Sequence, residues 1–223
     1  GLAQILATLA VIALFALRNF SVGMSFKNTE TLQTAVASAL ILGEGIGPLA
    51  ALAIGIGFAG LVLLADPPGG GGGVRRFANP AAGLGMLSGA LFAISAIGYR
   101  GAALALPAGD VFLRASLTLT VVILFQSAIM GAWLALRNPA EIGRVLAAWR
   151  TTGLVGLTSM VGSLGWFTAF TLTHAAYVRA VGQVELLFSY AASVLWFRET
   201  PSRREALGIA LLLISIVALI LSL

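Results

Sequence analysis

Glu185 is a carboxylate inside an apolar run, ten residues after Ala175 and twelve before Phe197. An ionisable group so placed is costly unless it faces a cavity or a partner. At 100° per residue, Gly182, Glu185, Ser189, Ser193 and Trp196 share one helical face spread over about 80°. Arg179, Gln183 and Tyr190 form a neighbouring stripe about 40° wide. Such an arc lines a wet cavity and binds a polar solute there, or it fixes packing through an ion pair with a neighbouring arginine. Burial disfavours the charged form of a carboxylate, so Glu185 is also a candidate proton carrier.

Arg18-Asn19 is a second candidate, a charge deep within an apolar run that can bind a solute carboxylate, pair with Glu185 or snorkel. Gln126, Tyr99 and Trp166 offer polar or aromatic groups at depth, as ligand contacts or as glue between helices. Other signals carry less. Gly55-Ile-Gly-Phe-Ala-Gly60 matches a dinucleotide fingerprint but has no preceding strand. His174 is the only histidine and lacks metal-ligating companions; there is no cysteine. No metal site and no cofactor are expected, and no hydrolase or ATP-binding motif occurs.

The elements that must hold these residues follow from composition. Of 223 residues, 59% are hydrophobic and 9% charged, and mean hydropathy is +1.02. A soluble domain carries roughly 25% charged residues, and disorder needs low hydrophobicity, so both classes are excluded. The net charge of +5 comes from basic residues scattered between apolar runs, as around membrane spans and unlike a nucleic-acid stripe. Eight runs approach the ~20 residues a membrane helix needs: Leu2–Phe26, Thr29–Leu42, Ile46–Ala65, Ala82–Leu106, Val111–Leu136, Thr152–Thr173, Ala175–Phe197 and Ala206–Leu223. They are apolar all round, which predicts helices and not barrel strands. Asp66–Pro80, with five consecutive glycines, reads as a connector between residues 1–65 and 81–223.

These two blocks repeat. A shift of 155 lays Gly43-Glu44 on Arg198-Glu199 and Leu49–Leu64 on Arg204–Leu219. Upstream, Phe26-Lys27-Asn28-Thr29 aligns with Leu172-Thr173-His174-Ala175 at a shift of only 146, which predicts a nine-residue deficit in the first copy. Thr29–Leu42 would then be about 21 Å long, too short to cross, with a stretch missing near residues 34–42. The spans Ala82–Leu106 and Val111–Leu136 have no counterparts in the first block, which predicts two further spans ahead of Gly1; the rival reading is a naturally short, re-entrant second segment.

The run from Gly182 to Glu199 is similar to the penultimate helix of an EamA repeat, its inner Glu185 fourteen residues before the glutamate that ends it. Pro201 and the helix carrying Gly208 and Ser215 resemble that repeat's last span. Leu42-Gly43-Glu44, Pro48 and the helix from Ala53 to Gly60 match in the first block. Leu186 stands where the family often has proline, and Arg198 where it usually has glycine. The chain thus resembles the EamA family of the drug/metabolite transporter superfamily, well over 81–223 and partly over 1–65.

The resemblance implies an all-α polytopic membrane protein of inverted-repeat, ten-helix architecture, with roughly eight segments in this chain. It implies a secondary transporter, not an enzyme, that exports small organic metabolites such as amino acids or drug-like solutes. Its partners would be the solute and the lipid bilayer, with protons as a candidate coupling ion and no nucleic acid. The location implied is a bacterial inner membrane. The rival reading is a membrane-anchored enzyme or structural subunit. Loop charges place the glycine connector inside, whereas the family picture places both termini there.

Overall fold

A backbone surrounded by lipid must bond to itself, and the chain does so with helices. The computed structural model describes residues 1–17, 20–64, 80–107, 109–195 and 203–221, and no strand occurs among them. The helices are α1 (Leu2–Phe15), α2 (Phe20–Lys27), α3 (Glu30–Leu42), α4 (Pro48–Leu64), α5 (Pro80–Ala105), α6 (Val111–Arg137), α7 (Pro139–Ala147), α8 (Trp149–Leu172), α9 (Ala175–Gly182), α10 (Val184–Leu195) and α11 (Arg203–Ile220). Among them α5, α6 and α8, of 26, 27 and 24 residues, are long and apolar enough to cross a bilayer. Local chemistry sets several boundaries. Asp110 caps α6 by accepting from the Leu113 amide at 2.8 Å. Gly43 ends α3 in the left-handed region, at φ 66°, where glycine alone is unstrained. Pro139 opens α7.

Two expected spans come out differently. Leu2–Phe26 is not one helix. Leu14 of α1 packs on Gly23 of α2, and both lie beside the start of α5 at Ala81. From there α1 runs back so that Gln4 reaches Tyr99, whereas α2 runs forward so that Lys27 meets Gly89. The two helices therefore pass α5 in opposite senses. Between the two helices the sequence has Ala16-Leu17-Arg18-Asn19, and reading Arg18-Asn19 as a charge inside one span hid the reversal. The second span of the first block accordingly begins at Phe20 and not at Thr29. A single shift of 155 then suffices, because Phe20–Lys27 falls on Ala175–Gly182 with eight residues each. The nine-residue deficit, and with it the gap near 34–42, is withdrawn.

Ala175–Phe197 is likewise interrupted. The helix breaks at Gln183, whose N–H bonds the Ala180 carbonyl at 3.2 Å while Leu186 N–H returns to the Gln183 carbonyl at 2.9 Å. The helix α7, amphipathic and without a buried residue, was not anticipated. The connector 66–79 lies outside the described residues, and Pro80 already opens α5.

Helices α4 and α11 pack antiparallel through small residues. Ser215 Oγ donates to the Ala53 carbonyl at 2.6 Å. One turn further along α4, a side chain on Gly57 would collide with Ser215. At Gly60 a Cβ would lie 2.7 Å from the Gly208 carbonyl and 3.0 Å from Leu211 Cβ. Close backbone approach of this kind replaces the hydrophobic drive that lipid does not supply. Around it, Ala50, Ala53, Ile54 and Leu219 are buried with Ala35, Ala176 and Ala180 of α3 and α9. Gly55 borders open space. Gly60→Val is therefore expected to cost about 1–3 kcal/mol through overpacking. Gly55→Val, with the same change in helix propensity, should stay within about 0.5 kcal/mol of the wild type. Unfolding midpoints followed by circular dichroism in detergent check the pair.

Candidate functional site

The two interrupted helices meet at their interruptions. Helices α3 and α9 are packed neighbours, and Gln183 Nε2 donates to Thr31 Oγ1 at 2.6 Å. Around that bond lies a cavity of about 200 Å³, walled by Lys27, Asn28, Glu30 and Thr31 at the α2–α3 junction. Facing them are Gly182, Gln183, Glu185 and Leu186 at the α9–α10 junction, with Arg179 and Trp166. Each residue of the first set sits 155 positions before one of the second: Lys27 before Gly182, Asn28 before Gln183, Glu30 before Glu185, Thr31 before Leu186. The walls thus stand at a constant separation along the chain.

Charge in the cavity centres on Glu30, which is 5% exposed. Its Oε1 lies 2.9 Å from Arg179 Nε and its Oε2 lies 3.6 Å from Lys27 Nζ. Despite the short approach, neither Glu30 Oε1 nor Arg179 Nε makes an aligned hydrogen bond. A buried acceptor and a buried donor therefore stand side by side with bonding capacity in hand. The guanidinium of Arg179 also lies 5.0 Å from the Trp166 ring centre and 5.5 Å from that of Phe170, within cation–π range. Lys27 is 5.6 Å over the Phe92 ring. These aromatic faces replace part of the hydration the cations lose.

Glu185, 155 positions after Glu30, is exposed at the cavity rim, so the two acids stand in unlike surroundings. Trp166 and Gly182 also line a second, apolar cavity of about 520 Å³ between α8, α9 and α11. The two residues are in contact: any side chain on Gly182 would overlap the indole. Together they form the wall between a charged and an apolar space.

Of the residues singled out in the sequence, Glu185, Gln183, Arg179 and Trp166 are brought together here. Tyr99 and Gln126 stand elsewhere. The Tyr99 hydroxyl donates to Gln4 Oε1, and Gln126 Nε2 donates to the same oxygen at 2.8 Å and to the Gly1 carbonyl at 3.2 Å. Tyr99 stacks on Phe167 with ring centres 4.4 Å apart. Arg18 and Asn19, and the side chains of Ser189 and Tyr190, lie outside the described residues. His174 stacks on Tyr177 at 5.4 Å, and no metal-holding group occurs among the described residues.

Sequence reading did not single out Glu30 or Lys27. Two signals pointed to Glu30. Glu30, Thr34 and Ser38 recur every four residues as a polar stripe, and all three are buried. The shift of 155, carried upstream past Gly43, also lands Glu30 on Glu185.

The model of the EamA-like transporter family matches residues 80–221. No curated protein matches the chain. A solved structure described only as "Crystal structure of protein" superposes with a TM-score of 0.72 at 16% identity. The overlap covers 97% of this chain and 74% of that one. At such identity the likeness speaks for the fold alone.

Removing Arg179 leaves the buried Glu30 carboxylate with Lys27 alone, one oxygen losing its cation, at a cost of about 1–3 kcal/mol. Arg179→Met should therefore lower stability in detergent by an amount in that range, whereas Arg179→Met with Glu30→Gln should recover at least half of the loss. A double-mutant cycle on unfolding midpoints measures the coupling.

Proposed function

Because the chain belongs to the EamA-like transporter family, within the drug/metabolite transporter superfamily, we propose that it is a secondary carrier that moves a small organic solute by alternating access through the cavity between α2–α3 and α9–α10. The family is one of small-solute transporters, not enzymes, and the helices α5, α6 and α8 fit a multi-pass membrane protein. The finer reading has residues 1–65 and 81–223 as two halves of opposite orientation, joined by 66–80, with α5 and α6 belonging to the second.

Support for the two halves comes from reciprocal contacts. Ala53 meets Ser215, and Gly60 meets Gly208; under the shift of 155, Ala53 corresponds to Gly208 and Gly60 to Ser215. Contact i to j is matched by contact j to i, the signature of a twofold relation. In a carrier of this design the solute site lies where the halves meet, at discontinuous helices, and the halves exchange conformations to turn it from one side to the other. The observation that carries the reading is the cavity walled by four equivalent pairs, with buried Glu30 on one side and exposed Glu185 on the other. Exchange of conformations would trade those two environments.

Glu30 Oε1 and Arg179 Nε, an acceptor beside a donor, suit a solute that bears both kinds of group, such as an amino acid or a drug-like amine or amide. Protons are the proposed coupling ion, carried on Glu30 or Glu185. Export across a bacterial inner membrane is the proposed direction and location.

Reconstitution of the full-length protein in liposomes tests this, with counterflow screened over amino acids and other small metabolites. Saturable flux is expected in the wild type, with a fall of tenfold or more in Glu30→Gln and Arg179→Gln, equivalent to losing about 1.4 kcal/mol or more. Saturable flux indifferent to Glu30, Arg179 and Glu185 would move the site elsewhere. Absence of saturable flux for every solute class would overturn the carrier.

A further inference from the structure

Arg100, near the end of α5, is 8% exposed, and nothing in the solute site uses it. Its Nε is paired with Glu44 Oε1. Its Nη1 donates to the Phe170 carbonyl at 2.8 Å and to the Thr173 carbonyl at 2.6 Å. Those carbonyls belong to the C-terminal end of α8, where the helix has no bonding partners of its own. Glu44 is held in turn by Ser38, whose Oγ donates to Oε2 at 2.6 Å. One planar guanidinium thus ties three segments together, a geometry that a lysine point charge cannot copy.

The carboxylate comes from residues 1–65, and the guanidinium and both carbonyls come from 81–223. This tie therefore joins the same two blocks as the Glu30–Arg179 pair, but at the other end of α3, about 20 Å away along thirteen residues. The two ties also share a residue. Phe170 gives its carbonyl to Arg100 while its ring lies against the Arg179 guanidinium. When rigid blocks rock about a central site, a link that joins them to one side of that site cannot stay closed throughout the cycle.

We propose that Arg100 is a latch: it closes the passage at the Glu44 end, and it must release Glu44 for the cavity to open on that side. The proposal rests on the alternating-access reading above. On release, Ser38 still bonds the Glu44 carboxylate, and the Phe170 and Thr173 carbonyls still hold Arg100, so neither charge is left bare. Arg100 thereby acts as a positioning residue and does not touch the solute.

The chain has no cysteine, which makes a one-site accessibility test clean. Leu186→Cys places a thiol on the cavity wall, and a charged, membrane-impermeant maleimide is offered from either side of oriented, sealed vesicles. Adding Glu44→Gln with Arg100→Gln to that background removes both charges together, so no buried charge is stranded. The triple variant is expected to be labelled at least about fivefold faster than the Leu186→Cys parent from one side only, a shift of about 1 kcal/mol or more between closed and open forms. Glu44→Asp, which keeps the charge but draws the carboxylate back by one methylene, should give a smaller gain from the same side. Unchanged labelling, or equal gains from both sides, would overturn the latch. The readout needs no transported solute, so it stands apart from whether flux is found.

Discussion

A charge can stay among lipid-facing helices only with a partner, and this requirement organises the bundle. Helix α3 carries it at both ends. Glu30 at its start is held by Lys27 and Arg179, and Glu44 just beyond its end is held by Arg100 and Ser38. Between them Thr31, Thr34 and Ser38 keep the same helix polar on its buried side. A helix so anchored is a strut between two blocks, and its fixed length sets the distance between the charged cavity and the far tie. Breaking the Glu30 end weakens the hold on a buried carboxylate, whereas at the Glu44 end Ser38 and the Phe170 and Thr173 carbonyls keep both charges held, so the two ends differ in how cheaply they open.

Where charge does not hold the helices, small residues do. Gly57 and Gly60 of α4 and Gly208 and Ser215 of α11 let two backbones approach without side chains between them. Gly85 and Gly89 of α5 do the same against Gly23 and Lys27, and Ser88 adds a bond to the Ala7 carbonyl at 3.0 Å. These contacts are shape-determined and leave no slack. The ionic contacts depend on partners that can be exchanged. A molecule built from both has rigid seams and switchable ones in separate places.

Much of this was legible in the sequence, and the failures have physical causes. Helix identity followed from runs apolar on all sides. The cavity-lining group Arg179, Gln183 and Glu185 followed from polar residues sharing one arc. What did not follow was any feature without a hydropathy signature. The reversal between α1 and α2 is marked only by Arg18-Asn19, which reads as a charge inside one span, so the register of the first block slipped by nine residues and Glu30 was not singled out. Arg100 drew no attention in the sequence because its partners are backbone carbonyls and a distant glutamate, which no local spacing reveals. Tyr99 and Gln126 both bond Gln4, which holds them in another part of the bundle.

The interruptions at Gln183 and at residues 28–29 have an electrostatic consequence of their own. A helix end presents about half a charge, positive at its amides and negative at its carbonyls. At each interruption a carbonyl end and an amide end come together, and both interruptions border the same chamber. Main-chain dipoles therefore add a permanent, alternating field to the one made by Lys27, Glu30, Arg179 and Glu185. Side-chain substitution can retune that field but cannot erase it, because part of it is written in the peptide bond.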